Sequence, residues 1–167
     1  MPKERPTAWL APPEGLAKVN VDGAVSIEGS FGAVAAVCRD QRGKFLGASA
    51  VTFRHIIDPN TLEALGVREG QSLADDLYEN RIHIASDSKL VVNDIKVNSA
   101  AGYGDILHEI NYQSRNFFCC NIVHEFRSSN FEAHNLARHA RSLGFGRHVW
   151  LGQPTNLNFI PVNVVSV

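Results

Sequence analysis

Three acidic residues stand where carboxylates could share one site. Asp22 follows the alternating run "KVNV" and Asp87 follows "RIHIAS", so each lies at the carboxyl end of a predicted strand. Sites in α/β sheets form outside the carboxyl ends of parallel strands, so neighbouring strands would bring these two carboxylates together. Glu63 lies in a predicted helix, inside the arc of roughly 140° that the apolar residues of that helix occupy.

The packed position of Glu63 and the two strand-end aspartates favour metal chemistry. A buried carboxylate is costly unless it is paired or coordinates a cation. Ligands that are all oxygen favour Mg²⁺ or Mn²⁺, and two such ions roughly 4 Å apart would suit in-line attack of water on a phosphodiester. Gly23, directly after Asp22, would then leave room for a substrate backbone.

Each of these features also has an ordinary explanation. The sequence "DGA" at 22–24 could be a turn. Ser86 or Ser88 could cap a helix that follows Asp87, and Glu63 could simply favour the dipole of its helix near the start. The functional interpretations strengthen one another only if the topology brings the three carboxylates together.

The predicted elements that position these residues follow the order βββαβαβα. Three antiparallel strands come first, and two later strands, reached through helical crossovers, favour parallel pairing with the first. The predicted fold is therefore α/β, with a five-stranded mixed sheet flanked by helices in a domain at 16–146, between tails at 1–15 and 147–167. The predicted strands are 17–23, 31–39, 43–53, 81–86 and 117–126, and the predicted helices are 62–77, 88–97, 103–115 and 131–144.

Composition limits the class of protein. A length of 167 residues suits one domain, and no apolar run approaches the length of a membrane span. The three cysteines lack metal-ligand spacing and the N-terminus lacks the apolar region of a secretory signal, which favours an intracellular protein, nuclear or cytoplasmic, with reduced thiols. A net charge of −1 argues against indiscriminate nucleic-acid binding but is compatible with a local basic groove.

Four motifs in this order resemble the ribonuclease H family: "KVNVDGA", "PNTLEALGVREG", "ASDSKLVV" and "RSSNFEAHNLARHA". The sequence is most similar to the plant type found at the C-terminal end of non-LTR retroelement reverse transcriptases and as separate proteins. The likeness runs from about Trp9 to Gly144. It implies a five-stranded mixed sheet and cleavage of the RNA strand of RNA/DNA hybrids with two Mg²⁺ ions, held by Asp22, Glu63 and Asp87.

The fourth acidic position of that family falls on His134, four residues after Asn130. The plant type commonly has histidine here, whereas the most studied enzymes have aspartate, often with another histidine in a longer preceding loop. His134 could be a metal ligand better suited to Mn²⁺, a proton shuttle, or part of a site that has lost full activity. The alternative to an active endonuclease is therefore a catalytically impaired nucleic-acid-binding module derived from a retroelement.

Substrate contacts are predicted around the site. The resemblance implies contacts to phosphate and 2′-OH groups with little base specificity. Arg138 shares a helix face with His134 and Arg141, a stripe that could meet phosphate or simply be solvated. An apolar C-terminal stretch, "NFIPVNVVSV", leaves open a scaffold that dimerises or packs on itself. The predicted substrate-binding residues are Gly23, Ala24, Ser88, Lys89, Asn130 and Arg138.

Overall fold

A six-stranded mixed sheet forms the centre of the computed structural model, which describes residues 8–99 and 102–165. The strand order is β5-β4-β1-β2-β3-β6. β1 is central: it pairs parallel with β4 and antiparallel with β2, so the carboxyl ends of β1 and β4 lie at the same edge of the sheet. The strands are β1 (Ala17–Val25), β2 (Phe31–Arg39), β3 (Phe45–Arg54), β4 (Arg81–Ser86), β5 (Cys119–His124) and β6 (Gly146–Leu151).

Four helices and one 3₁₀ turn connect the strands within the described residues. α1 begins three residues earlier than predicted, because Pro59 occupies its first turn and the Asp58 carboxylate accepts a hydrogen bond from the Thr61 amide. None of these helices is both long and apolar enough to cross a membrane. The helices are α1 (Pro59–Asp76), α2 (Lys89–Val97), α3 (Gly104–Ser114) and α4 (Phe131–Ala140), and the turn is Arg127–Ser129.

The helices cover the sheet from both faces. On one face, α1, α2 and α3 bury apolar side chains such as Leu73, Ile95 and Ile110 against β1 and β4. On the other face, α4 packs Leu136 against β2 and β3. Strand alternation directs one set of side chains to each layer. The two layers leave the carboxyl ends of β1 and β4 between them.

The predicted count of five strands is wrong, because Gly146–Leu151 forms a sixth strand that pairs antiparallel with β3. These residues lay almost wholly in the segment predicted as an extended tail. The strand is at the sheet edge and exposes Val149 and Leu151, so it lacks the buried alternation by which an inner strand is recognised. The chain after β6 returns over the α4 face and buries Leu157 and Ile160 there.

A fully buried arginine joins this C-terminal segment to the rest of the molecule. The guanidinium of Arg39, on β2, donates to both carboxylate oxygens of Glu132, on α4, at 2.8 and 2.6 Å. It also donates to the carbonyls of Gly43 and Pro161 at 3.0 and 2.8 Å. A buried charge is tolerated only when it is paired and hydrogen-bonded. Arg39 therefore holds α4 and the C-terminal segment against the β2–β3 hairpin.

A buried lysine plays the corresponding part at the other end of the chain. The Lys18 ammonium donates to Glu125 and to the Leu10 carbonyl, both at 2.7 Å. Burial lowers the pKa of Lys18, and the Glu125 carboxylate opposes that shift. Trp9 is buried beside this ammonium, whose nitrogen lies 5.8 Å from the ring centroid. The N-terminal segment is thus fixed to β1 and to the residue that follows β5.

The buried Arg39–Glu132 pair makes a prediction about stability. Glu132→Gln leaves the Arg39 charge without its counter-ion in the interior, so we expect the free energy of unfolding to fall by about 3 kcal/mol or more. The matched control is Glu109→Gln, which breaks the half-exposed pair with Arg68 and should cost about 1 kcal/mol at most. Urea denaturation at pH 7 measures both. Equal losses for the two variants would contradict a special role for the buried pair.

Candidate metal and nucleic-acid site

α1 lies unusually close to β1. A Cβ atom added to Gly23 would lie 3.0 Å from Leu62 Cβ, and one added to Gly66 would lie 3.3 Å from the Asp22 carbonyl oxygen. Glycine at both positions lets the helix approach the strand backbone. The space beside Gly23 that an added Cβ would enter is therefore filled by α1, and the substrate contact of this glycine stays a prediction.

This close approach places Glu63 beside the part of β1 where its pairing with β4 ends. Its Oε1 accepts a hydrogen bond from the Gly23 amide at 3.2 Å, and its Oε2 accepts one from Ser86 Oγ, at the end of β4, at 3.3 Å. The Glu63 carboxylate is thus hydrogen-bonded to β1, which carries Asp22, and to the end of β4, which Asp87 follows.

The carboxylates of Asp22, Glu63 and Asp87 meet at this edge of the sheet. Each offers an oxygen, and these ligand atoms all lie within 4.8 Å of one another. Asp22 is only 1 % exposed, and its Oδ1 is buried without a hydrogen-bond partner in the part of the chain that the structure describes. A buried, unpartnered carboxylate oxygen is costly, and a cation would satisfy it. The donor set therefore fits a hard divalent cation.

The crowded carboxylates disfavour their own ionisation. Burial raises the pKa of Glu63, and the adjacent carboxylates of Asp22 and Asp87 raise it further. Burial also raises the pKa of Asp87, with a contribution from Asp22, whereas Arg127 opposes that shift. A divalent cation between these groups would offset the repulsion and favour the ionised forms.

His134 contacts the cluster through Asp22. Its Nδ1 lies 2.9 Å from Asp22 Oδ2, and the imidazole is about a quarter exposed. With a proton on Nδ1 the ring donates to the carboxylate and orients it. The group of ligand atoms within 4.8 Å consists of the three carboxylates, so His134 lies next to that group and all three interpretations of its role stay open.

The structure separates the other predicted substrate contacts into two kinds. Lys89, two residues after Asp87, and Arg138, four residues after His134, are both exposed and so accessible to a ligand. Ala24 instead packs against the apolar cluster beneath α4, and Ser88 caps α2 by accepting a hydrogen bond from the Val91 amide at 3.3 Å. The ordinary capping explanation of Ser88 therefore applies whether or not this residue also contacts a substrate.

Asn130 has a positioning role inside the protein, and its predicted substrate contact stays a prediction. It is fully buried, and its Nδ2 donates to the Val21 carbonyl at 2.9 Å while its Oδ1 accepts from Asn20 Nδ2 at 2.9 Å. These bonds attach the start of α4 to β1 just before Asp22. They hold His134, one helical turn further on, against the cluster.

Arg127 is the residue at this site that the sequence reasoning missed. It lies in the short 3₁₀ turn before α4, and its Nε donates to Asp87 Oδ2 at 3.1 Å. Its side chain is 70 % exposed. A cavity of about 440 Å³ opens beside it, with Glu63, Asn60 and Phe126 also in the lining. The available signal was a cation at the first position of the last motif, "RSSNFEAHNLARHA".

Comparison with known proteins identifies the family. The model of the family described as "Reverse transcriptase-like" matches residues 20–140. The chain belongs to this reverse transcriptase-like family. The matched stretch contains Asp22, Glu63, Asp87 and His134, and the resemblance to ribonuclease H stated from the motifs is confirmed.

A curated relative of this reverse transcriptase-like chain comes from Arabidopsis thaliana and is named "Putative ribonuclease H protein". The two are 29 % identical over 152 residues, which cover 87 % of this chain. The match spans only 24 % of the length of that relative. This chain therefore aligns with less than a third of that relative.

Solved structures confirm the ribonuclease H-like fold. RNase H1 of the halophilic archaeon Halobacterium salinarum is similar with a TM-score of 0.68 and 22 % identity, covering 75 % of this chain and 97 % of that one. The N-terminal RNase H domain of Rv2228c from Mycobacterium tuberculosis gives 0.66 and 22 %, covering 75 % and 92 %. LC11-RNase H1, solved in complex with an RNA/DNA hybrid, gives 0.61 and 17 %, covering 74 % and 94 %.

The raised pKa of Glu63 makes a prediction about stability in metal-free buffer. Because the folded-state pKa lies above the unfolded value of about 4.3, the contribution of Glu63 to stability is fully present below that pH and is lost as the pH rises toward the folded value. Glu63→Gln removes the ionisable carboxyl group and with it this pH dependence. We expect the variant to melt roughly 2–8 °C above the wild type near pH 8, with little difference near pH 4.

The control for this effect is Asp75→Asn, which removes an exposed carboxylate of the same helix. Thermal unfolding in EDTA across pH 4 to 8 measures all three proteins. Added Mn²⁺ should stabilise the wild type more than Glu63→Gln, since the amide is a poorer ligand. A difference between Glu63→Gln and wild type that does not grow with pH would contradict the crowding of the carboxylates.

Proposed function

We propose that this chain is a metal-dependent endonuclease that cleaves the RNA strand of RNA/DNA hybrids. The observation that carries the proposal is the meeting of three carboxylates within 4.8 Å, one of which keeps a buried and unpartnered oxygen. Such a cluster lowers stability unless a cation binds there. Its place where the parallel pairing of β1 and β4 ends, in a ribonuclease H-like fold, supports phosphodiester hydrolysis as the chemistry.

The proposed cofactor is Mg²⁺ or Mn²⁺, with two ions in the active form. Asp22, Glu63 and Asp87 would hold them, because oxygen donors of this kind suit both cations. When bound, such ions supply an activated water and stabilise charge on the phosphate. The chain itself orients the ligands: Gly23 and Ser86 fix Glu63, and His134 fixes Asp22.

The proposed substrate is supported by what the similar proteins are named for or bound to, and by exposed cations close in sequence to the site residues. One similar structure holds an RNA/DNA hybrid, and the curated relative is named after ribonuclease H. Exposed Lys89 and Arg138 offer cations to a phosphate backbone, and reading of the 2′-OH would explain the choice of the RNA strand. An intracellular setting, nuclear or cytoplasmic, is part of this proposal.

A second candidate is a catalytically impaired nucleic-acid-binding module derived from a retroelement. His134 favours it, because a neutral imidazole at the fourth acidic position removes one negative charge from the metal site. The imidazole also bonds to Asp22 instead of adding a carboxylate beside it. This module would still bind hybrid, but it would cut slowly or not at all.

Cleavage of a labelled RNA/DNA hybrid separates the two candidates. Asp87→Asn should lower the cleavage rate by about a hundredfold or more while the fold survives, because the change removes a metal ligand and little packing. Asp75→Asn should leave the rate unchanged. If the wild type degrades the hybrid no faster than Asp87→Asn in either Mg²⁺ or Mn²⁺, the binding module is the correct assignment.

The part played by His134 has its own test. His134→Asp adds a fourth carboxylate to the cluster, next to Asp22, so we expect lower thermal stability in EDTA and a larger gain on adding Mg²⁺. Mg²⁺-supported cleavage should rise relative to cleavage in Mn²⁺, which accepts nitrogen ligands more readily. Asn135→Asp, which adds the same charge on the exposed side of α4, is the control. Identical behaviour of the two variants would make His134 a bystander.

A further inference from the structure

The guanidinium of Arg127 is held by a hydrogen bond from only one of its three nitrogens. Its Nε donates to Asp87 Oδ2 at 3.1 Å, whereas its two Nη groups have no hydrogen-bond partner within residues 8–99 and 102–165. The backbone beneath it is fixed, because the Asn130 amide donates to the Arg127 carbonyl at 2.9 Å and Asn130 is itself buried against β1. A guanidinium is therefore held at the site with most of its donors facing outward.

The surroundings of Arg127 suit a ligand that carries negative charge. Its side chain is 70 % exposed, whereas the Asp87 side chain beneath it is only 9 % exposed. The adjoining cavity of about 440 Å³ brings Asn60 and Ser88 to the same opening as Glu63 and Asp87. A ligand group in this opening would lie next to the carboxylate cluster and within reach of a planar fork of N–H donors.

We propose that Arg127 binds a phosphate of the strand that the carboxylate cluster cuts, with Asp87 holding the guanidinium in position. This inference rests on the proposed function and adds a positioning residue to it. A guanidinium can meet two phosphate oxygens with parallel hydrogen bonds, which fixes the orientation of the group as well as its place. Because Nε is already hydrogen-bonded to Asp87, part of the side-chain freedom is lost before a ligand binds.

The positive charge of Arg127 should weaken the binding of a metal ion and strengthen the binding of nucleic acid. Arg127 lies next to a metal ligand, so its positive charge disfavours a divalent cation when no nucleic acid is bound. A bound phosphate neutralises the guanidinium and removes that repulsion. Removal of the charge should therefore tighten the binding of metal alone and weaken the binding of hybrid.

The experiment compares wild type, Arg127→Gln and Arg127→Lys, with Arg115→Gln as an exposed arginine control at the far end of α3. Titration calorimetry measures Mn²⁺ affinity without nucleic acid. Fluorescence anisotropy measures the affinity for an RNA/DNA hybrid at several salt concentrations in Ca²⁺, with a gel to show that the hybrid stays intact. Ca²⁺ is used because it accepts oxygen ligands in a looser geometry than Mg²⁺. Cleavage is assayed separately in Mg²⁺ and Mn²⁺.

We expect Arg127→Gln to bind Mn²⁺ roughly two- to fivefold more tightly, as for loss of one screened charge interaction. Its plot of log affinity for hybrid against log salt should be less steep by about one unit, which is the loss of one phosphate contact. Arg127→Lys should keep the wild-type slope because it keeps the charge. It should nevertheless bind hybrid more weakly, because it lacks the planar fork.

An unchanged salt slope and hybrid affinity in Arg127→Gln would overturn the proposal and leave Arg127 as a counter-ion of Asp87, even if the Mn²⁺ affinity rises. An equal loss of slope in Arg115→Gln would overturn it as well, since the effect would then be non-specific. Failure of the proposed function looks different: the wild type would not cleave, but the slopes of wild type and Arg127→Gln would still differ by about one unit.

Discussion

The close contact between α1 and β1 is the constraint on which the site depends. Side chains at Gly23 and Gly66 would hold the helix away from the strand, because added Cβ atoms would approach Leu62 and the Asp22 backbone to 3.0 and 3.3 Å. That approach brings Glu63 within hydrogen-bond distance of the Gly23 amide of β1. The two glycines thus allow α1 to pack closely on β1, which brings the Glu63 carboxylate to the two aspartates.

The rest of the structure supports an arrangement that is costly by itself. Three carboxylates at one edge repel each other, and burial raises the pKa of both Glu63 and Asp87. Proteins retain such clusters where a ligand offsets the cost, and stability is then lower than an apolar replacement would give. Buried ion pairs on Lys18 and Arg39 fix the terminal segments to the sheet, which keeps the frame of the site rigid.

The sequence predicted the parts of this site that follow a regular period. Asp22 and Asp87 were recognisable because each follows an alternating or apolar run, and Glu63 was conspicuous because it falls on the apolar arc of its helix; the structure brings the three carboxylates together, although β1 continues past Asp22 to Val25. β6 was missed because an edge strand with exposed Val149 and Leu151 has no buried alternation. Its pairing is determined by the free edge of β3 and not by its own pattern.

The remaining differences involve contacts between segments that are distant in the chain. Asn130 is a positioning residue because it lies beneath α4 and bonds to Val21, a contact over 109 positions that no local pattern shows. Arg127 was overlooked for the same reason, since a loop carries no period to reveal which neighbour it reaches. The sequence alone likewise does not show how closely α1 approaches β1 at Gly23.

The most direct test of the central claim is a crystal structure of the protein soaked in Mn²⁺, with anomalous scattering used to locate the ions. The account predicts an anomalous peak bound by oxygens of Asp22, Glu63 and Asp87, at distances of about 2.0–2.3 Å that are normal for a small divalent cation. It also predicts that the unpartnered Oδ1 of Asp22 becomes a ligand. Crystals soaked at saturating Mn²⁺ that show no anomalous peak between these three carboxylates, or a peak only elsewhere on the molecule, would contradict the account.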